Sequence, residues 1–404
     1  MTSLRRVVVT GIGAISGLGM NTREMWDGIA EARCAIAPLH GIETNRLAAH
    51  LASQIDDYRE AEHFEPRQSV FMDRVTQLTV VSGREAMAMA GLDAAAMAEL
   101  GFRAGVTHAA SPGQVTIEEC YWTFYGQGGN RMHPFSTPRI MGAAPAAALT
   151  IEFGIHGAAF GTASACSSSN HAIGMAVDMI RGGRLDVCLT GGADASLVPA
   201  YFKAWEGLRV LSSDMARPFS RDRSGVVLGE AATTLVLEAR EHAEARGATI
   251  LAEIMGWATT SDGGNMLAPD PEYGAAAMQL AIEDAGLARS DIGYVNAHGT
   301  ATRMNDKSEA AALHRVFNGA VPPTSSLKSQ TGHTLNAAGG MEAIATIMAL
   351  QHQTMPATVN FNDPDPECDI DCVPNRPRAG QFDYALSNSF GFGGLNAVLV
   401  LGRA

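Results

Sequence analysis

The stretches RRVVVTGIGA, DVCLTGGAD, TTLVLEA, GYVNAHGT and NAVLVLG are apolar along most of their length rather than on alternate residues. A strand of that kind has both faces covered, so it belongs in a sheet sandwiched by helices. Longer helical patterns separate these runs, and the chain reads as α/β with mostly parallel sheets. With 404 residues, 46% of them hydrophobic, it can bury a core large enough for two domains or one duplicated unit. The helical pattern from Ser167 to Gly183 carries Ile173, Val177 and Ile180 on one face and ends at Gly182-Gly183. In the second half another small-residue polar segment, SSLKSQTGHTLNAAGG, feeds an apolar helix, MEAIATIMALQ. That recurrence points to a duplication, with halves at 1–250 and 251–404.

Composition then narrows the function. A formal net charge of −13 argues against nucleic acid as a partner, while leaving room for a local basic patch. The N-terminus runs straight into a strand-like segment without a signal-peptide core, and no apolar run reaches membrane-spanning length. A cytoplasmic protein without membrane insertion is expected. The six cysteines, at 34, 120, 166, 188, 368 and 372, are scattered rather than arranged as a disulfide framework, so reduced thiols are expected. Cys368 and Cys372, in ECDIDC, lack a second Cys/His pair, and neither a metal nor a cofactor is expected.

Cys166, in FGTASACSSSN, sits at the start of the Ser167–Gly183 helical pattern. A helix N-terminus offers a thiol the positive end of a dipole and nearby N–H groups, which favour thiolate and can hold an oxyanion on an attacked carbonyl. A lone cysteine also fits the bland role of a buried small hydrophobe, as expected for Cys34, Cys120 and Cys188. The histidines tip the balance. His298 closes a strand-like run in YVNAHGTATRMND, and His333 follows Lys328 in LKSQTGHTLNAAGG. Polar side chains in Gly-rich turns at strand ends are placed like an active-site rim. A fourth segment, SNSFGFGGLN, wraps glycines around Phe390 and Phe392, allowing backbone N–H groups to approach a ligand.

These four ordered motifs, together with RPFSRDRSGVVLGE, resemble the elongating β-ketoacyl-acyl-carrier-protein synthases, types I and II, over nearly the whole chain. The resemblance implies a thiolase-like duplicated fold, five layers αβαβα with two mixed sheets, in a homodimer. It implies decarboxylative Claisen condensation between an acyl chain loaded on Cys166 and malonyl-acyl carrier protein. His298 and His333 would bind the malonyl thioester carbonyl, and Lys328 would hold His333 and the local field. The N–H groups of Cys166 and Phe392 would form the oxyanion hole, with Phe392 and Phe390 at the acyl gate. Thr300 and Thr302 would hold the pantetheine arm. Arg67, Arg131 and Arg209, with Lys203 as a fourth, match positions where the family docks its acidic carrier protein, although two neighbouring basic positions are here Val70 and Phe71.

Three departures stand out. CSSSN replaces a common Cys-Ala-Thr-Gly, and Asn336 stands where a glycine is usual. In HAASPGQVTIEE, Ser111 and Pro112 occupy a region where the family carries an isoleucine gating the acyl pocket, so the tunnel is deepened unless Met132 or Phe135 fills the space. Departures of this kind are similar to those of nodulation-type synthases, which handle specialised unsaturated chains. The rival readings are a non-catalytic carrier-protein-binding partner subunit and, more remotely, a cysteine hydrolase. Cys166 speaks against the first, since non-condensing relatives replace the nucleophile.

Overall fold

The structure is a computed structural model that describes residues 4–404. Strands β1 (Val7–Ser16), β2 (Ala104–Ala110), β3 (Ala159–Thr162), β4 (Val187–Asp194) and β5 (Ala231–Ala239) form the first half-sheet, in the order β3-β2-β4-β5-β1. The second half-sheet uses β6 (Ala252–Ser261), β7 (Ile292–Asn296), β8 (Thr324–Ser325), β9 (Tyr384–Gly391) and β10 (Leu395–Arg403), in the order β8-β7-β9-β10-β6. Counted along the chain, the two orders are the same. So are the directions: in each half the two outer joins are parallel and the two inner ones antiparallel. The duplication suggested by the recurring loop-helix pattern is thus present in the topology.

Two expectations are corrected here. The sheets are mixed, as the family resemblance implies, and not mostly parallel as the apolar runs suggest, because a strand covered on both faces is apolar throughout whichever way its neighbour runs. The two half-sheets are also not separate in hydrogen bonding. Val8 and Val9 of β1 pair antiparallel with Glu253 and Ala252 of β6, which joins all ten strands.

Helices complete the layers. On the outside of the first half lie α1 (Arg74–Ala90) and α2 (Ala144–Phe153), both packed on its strands. Between the halves lie α3 (Ser168–Arg181) and, from the second half, α7 (Ala338–His352). The remaining helices are α4 (Pro199–Gly207), which leads toward the site, and α5 (Pro271–Asp284) and α6 (Arg303–Phe317), which cover the outer face of the second half. Both central helices contact strands of both halves; α7 is apolar nearly all round, as a helix with sheets on two sides must be, whereas α3 keeps an outward face with Met175 and Asp178 exposed. The largest core cluster accordingly mixes Ile173, Val177 and Ile180 of α3 with Met341, Ile344 and Ile347 of α7. Cys368 and Cys372 pack beside Phe219, Ala297 and Ala310, and no helix among the described residues is long and apolar enough to cross a membrane.

Candidate active site

Cys166 lies in the turn between β3 and α3, preceded by Ala165 with a left-handed φ of 51°. A residue in that region is costly without a glycine and persists only where its surroundings hold it. Here the turn is tied by the Ser168 hydroxyl, which donates to the Ala165 carbonyl and accepts from the Ser164 N–H at 2.8 Å, and by Ser167 Oγ donating to the Ser164 carbonyl at 2.7 Å. The serines of CSSSN therefore build the turn that aims the thiol.

The second half brings its groups to the same point. His298 follows β7, and its N–H and that of Gly299 donate to Glu309 on α6, at 2.8 and 2.7 Å. His333 is held through its backbone, donating to the Val227 carbonyl at 2.6 Å and accepting from the Gly229 N–H at 3.0 Å. His333 Nε2 stands 3.0 Å from Cys166 Sγ, and the two imidazole centroids are 5.5 Å apart. Phe390 lies edge-on to His298 at 6.0 Å, and Phe392 packs against Trp205 at 5.6 Å. After them Gly393 and Gly394, at φ 81° and 70°, make the reversal into β10, and a Cβ on Gly394 would collide with Asp262 at 2.5 Å.

The hydrogen bonds also set the ring protons. Leu335 N–H donates to His333 Nδ1 at 3.2 Å, and the Lys328 ammonium stands 3.3 Å from His298 Nδ1. Each Nδ1 thus acts as acceptor, which places the remaining proton of a neutral ring on Nε2. Burial, then the Lys328 charge, holds both histidines well below their ordinary pKa, with His333 adding to the effect on His298. The result is two neutral imidazoles presenting Nε2–H beside the thiol.

Lys328 is placed differently from the expectation. Its ammonium donates to the His298 carbonyl at 2.6 Å, faces His298 Nδ1 and forms a buried ion pair with Glu342; it does not bond His333. The polar turn at 328–331 turns its lysine toward β7 and α7, so the contact falls on the first histidine. Burial in turn pushes the Glu342 and Glu309 carboxyls up. Burial likewise raises the Cys166 thiol to about 12, against the pull of Lys328 and of the N–H groups of Phe392 and Cys166 itself. The helix-start argument for a ready thiolate is therefore outweighed by desolvation in the free protein.

A cavity of about 400 Å³ leads to this cluster and is lined by Cys166, His298, His333, Thr300, Thr302 and Phe392 among others. The two threonine hydroxyls are 3.0 Å apart along its wall. Exposed Arg209 and Arg303 also line it. Arg67 and Arg131 are exposed but do not line this cavity, and Ser111 is buried after β2 with its Oγ unpartnered among the described residues. Lys203 faces a separate cleft beside Tyr121 and Trp122, its ammonium occupied by Glu206 at 2.6 Å and the Arg46 carbonyl at 3.1 Å. Cys166, His298 and His333 bring their donor atoms within 4.8 Å of one another, a set able to ligate a soft cation once the thiol loses its proton.

Sequence reading missed Glu342, Glu309 and Arg303. Glu342 had a signal, being the carboxylate at the head of an otherwise apolar helix, MEAIATIMALQ, where a buried charge demands a partner. Nothing local distinguished the other two.

Comparison with known proteins places the chain in a family. The β-ketoacyl synthase N-terminal domain matches residues 4–243 and the C-terminal domain residues 251–362. The chain is 43% identical to "Nodulation protein E" of Rhizobium sp. (strain N33), over 98% of each chain. It is 36% identical to "3-oxoacyl-[acyl-carrier-protein] synthase 2" of Staphylococcus aureus (strain COL), over 99% of each. Among solved structures, "The ishigamide ketosynthase/chain length factor" superposes with a TM-score of 0.94 at 34% identity over the full length of both chains. With its thiolase-like fold and these relatives, the chain belongs to the β-ketoacyl synthase family, the condensing enzymes of the acyltransferase class, on the side of nodulation-type or other specialised members.

Proposed function

We propose that the chain extends an acyl group on Cys166 by decarboxylative condensation with malonyl-acyl carrier protein, and that its residues divide the work as follows. The Cys166 thiol attacks the acyl thioester, the carbonyl oxygen being held by the N–H groups of Cys166 and Phe392; the pantetheine sulfur leaves with the proton the thiol gives up. The malonyl thioester then enters between His298 and His333. Its carbonyl accepts both Nε2–H groups, the bond to the carboxylate breaks, and carbon dioxide departs as the enolate forms. The enolate carbon attacks the acyl-Cys166 carbonyl, the C–S bond breaks, and the β-ketoacyl chain leaves on the carrier while the Cys166 thiolate takes up one proton from solvent. Lys328, paired with Glu342, keeps His298 neutral and its Nδ1 occupied. Thr300 and Thr302 hold the pantetheine arm, and Phe390 and Phe392 gate the acyl side.

The observation that carries this reading is the 3.0 Å approach of His333 Nε2 to Cys166 Sγ beside a second imidazole whose Nδ1 is also engaged. Neutral donors suit a developing oxyanion, whereas an ionised thiolate–imidazolium pair would suit a hydrolase better. The carrier protein as partner is supported by the Staphylococcus relative, a 3-oxoacyl-[acyl-carrier-protein] synthase by name. Homodimerisation is supported by the half-exposed edge strand β3 and by Tyr121, Trp122, Phe124 and Tyr125, each more than half exposed in the segment that follows β2. Ser111 at the tunnel end, the division near residue 250 and a cytoplasmic setting complete the proposal.

Intact-mass analysis after incubation with a panel of acyl-carrier-protein thioesters tests it. One acyl mass on Cys166, lost in Cys166→Ala, together with malonyl-dependent release of carbon dioxide, is expected. Absence of both in the purified protein would point to a non-catalytic carrier-binding subunit instead.

A further inference from the structure

Asn336 departs from the family's glycine, and the structure gives its side chain a partner. Its Nδ2 donates to Asp194 Oδ2 at 2.8 Å, and its own N–H approaches the same oxygen at 3.4 Å. Asp194 is fully buried at the end of β4, and its other oxygen accepts the Ser196 N–H at 3.1 Å. The Asn336 carbonyl accepts from Ser169 Oγ in the first turn of α3. It approaches so closely to Gly192 that a Cβ there would lie 2.5 Å from it. Asn336 is thus gripped by two elements of the first half, although it belongs to the second.

What the grip holds is the residue before it. Leu335 sits at φ 49°, a left-handed conformation that a leucine adopts only under external constraint. In that conformation its N–H turns back onto His333 Nδ1. On the other side His333 is fixed by Val227 and Gly229. The chain from Asp194 through Asn336 and Leu335 ends at a ring nitrogen whose occupancy decides which nitrogen carries the proton.

We propose that Asp194 and Asn336 are a positioning pair that pins the Leu335 N–H onto His333 and so keeps that imidazole an Nε2–H donor toward the cavity. The pair touches no substrate. It rests on the condensation reading for its consequence, and on the contacts above for its existence. With the pair broken, Leu335 relaxes, Nδ1 loses its donor and the ring samples both tautomers. The step that uses Nε2–H, malonyl decarboxylation, slows; acyl loading on Cys166 does not.

The test compares Asn336→Ala, Asp194→Asn and the exchanged double variant Asp194→Asn/Asn336→Asp. Asn336→Gly is the variant to use if alanine impairs folding, since glycine removes the amide without adding bulk. In Asn336→Ala, decarboxylation of malonyl-acyl carrier protein is expected to fall about tenfold, the scale of one hydrogen bond at a reacting group, while acyl loading stays within about twofold. The exchanged variant rebuilds an amide–carboxylate bond in reverse and should recover most of the rate. Ring 15N shifts of His333, assigned with a His333→Gln control, should report Nε2–H in the wild type and mixed tautomers in the single variants. Unchanged tautomer and rate in Asn336→Ala or Asn336→Gly overturn the proposal, as does an equal loss of loading and decarboxylation without rescue in the exchanged variant. Should the wild type release no carbon dioxide, the condensation reading fails, and the ring shifts still decide the pair.

Discussion

Residues 163–167, between β3 and α3, and residues 326–337, between β8 and α7, occupy equivalent places in the two halves. The first is short, tied by serine hydroxyls, and delivers one neutral thiol to the start of a helix. The second is longer, buries Lys328 against Glu342, and delivers His333 on a backbone clamped by Val227 and Gly229. The loops after β2 and β7 diverge as well: one leads to Ser111 and the exposed aromatic segment, the other carries His298, Thr300 and Thr302. One duplicated scaffold therefore brings the thiol from one copy against the imidazoles and the buried lysine of the other. Because the central helices touch both half-sheets, the two sets meet without a flexible linker between them.

The strongest way to break this division is to remove the donors and ask what survives. His298→Ala and His333→Ala should each lower malonyl decarboxylation by about 10² or more, the scale for an oxyanion donor, while leaving acyl transfer to Cys166 measurable. Carbon dioxide release at the wild-type rate from either variant would move the donor role elsewhere. A parallel loss of acyl loading in both variants would mean that the halves do not divide the chemistry.

The thiol half is sharpened by pH. With burial raising Cys166 to about 12, the thiolate fraction below that value grows with pH. Alkylation of the free enzyme by iodoacetamide should then climb about tenfold per pH unit from pH 6 to 9. Cys34 is exposed and Cys120 only partly buried, so the rate is read in a Cys34→Ser/Cys120→Ser background. A plateau near pH 7 would show that Lys328 and the two N–H groups overcome desolvation, and that the nucleophile is ionised before substrate arrives.

Much of this was readable from local pattern. Cys166, His298, His333 and the glycine turn each sit in a compact motif whose neighbours do the positioning, and the repeated loop-helix pattern foretold a duplication that the strand order displays. What was not readable was long-range. Strand direction leaves no trace in a run buried on both faces, so the antiparallel inner strands follow from the family resemblance and not from the apolar pattern. The resemblance ties Lys328 to His333, yet its ammonium reaches a residue thirty positions earlier, because β7 and β8 are neighbours in the sheet. Asn336 was noticed as an anomaly, but its partner Asp194 lies in the other half.

The mouth of the cavity offers the finest version of the comparison, with a smaller expected effect. Arg209 comes from the first half, held at a left-handed φ of 57° just after α4, and Arg303 from the second, in the first turn of α6. Both line the cavity, and neither side chain has an acidic partner among the described residues. Lys203, the fourth cation of the docking set, is already committed to Glu206 and the Arg46 carbonyl. In a protein of net charge −13, uncommitted cations at a tunnel mouth are the ones that can attract an acidic carrier. Arg209→Glu and Arg303→Glu should therefore raise KM for carrier-bound malonyl severalfold at low salt, with the effect shrinking as screening increases, while a small pantetheine thioester reacts as before. Lys203→Glu should show no carrier-specific change, since its charge is already compensated. A carrier-specific rise in KM for Lys203→Glu, without one for Arg209→Glu or Arg303→Glu, would move the docking surface to the cleft beside Trp122 and leave the tunnel mouth without an electrostatic role.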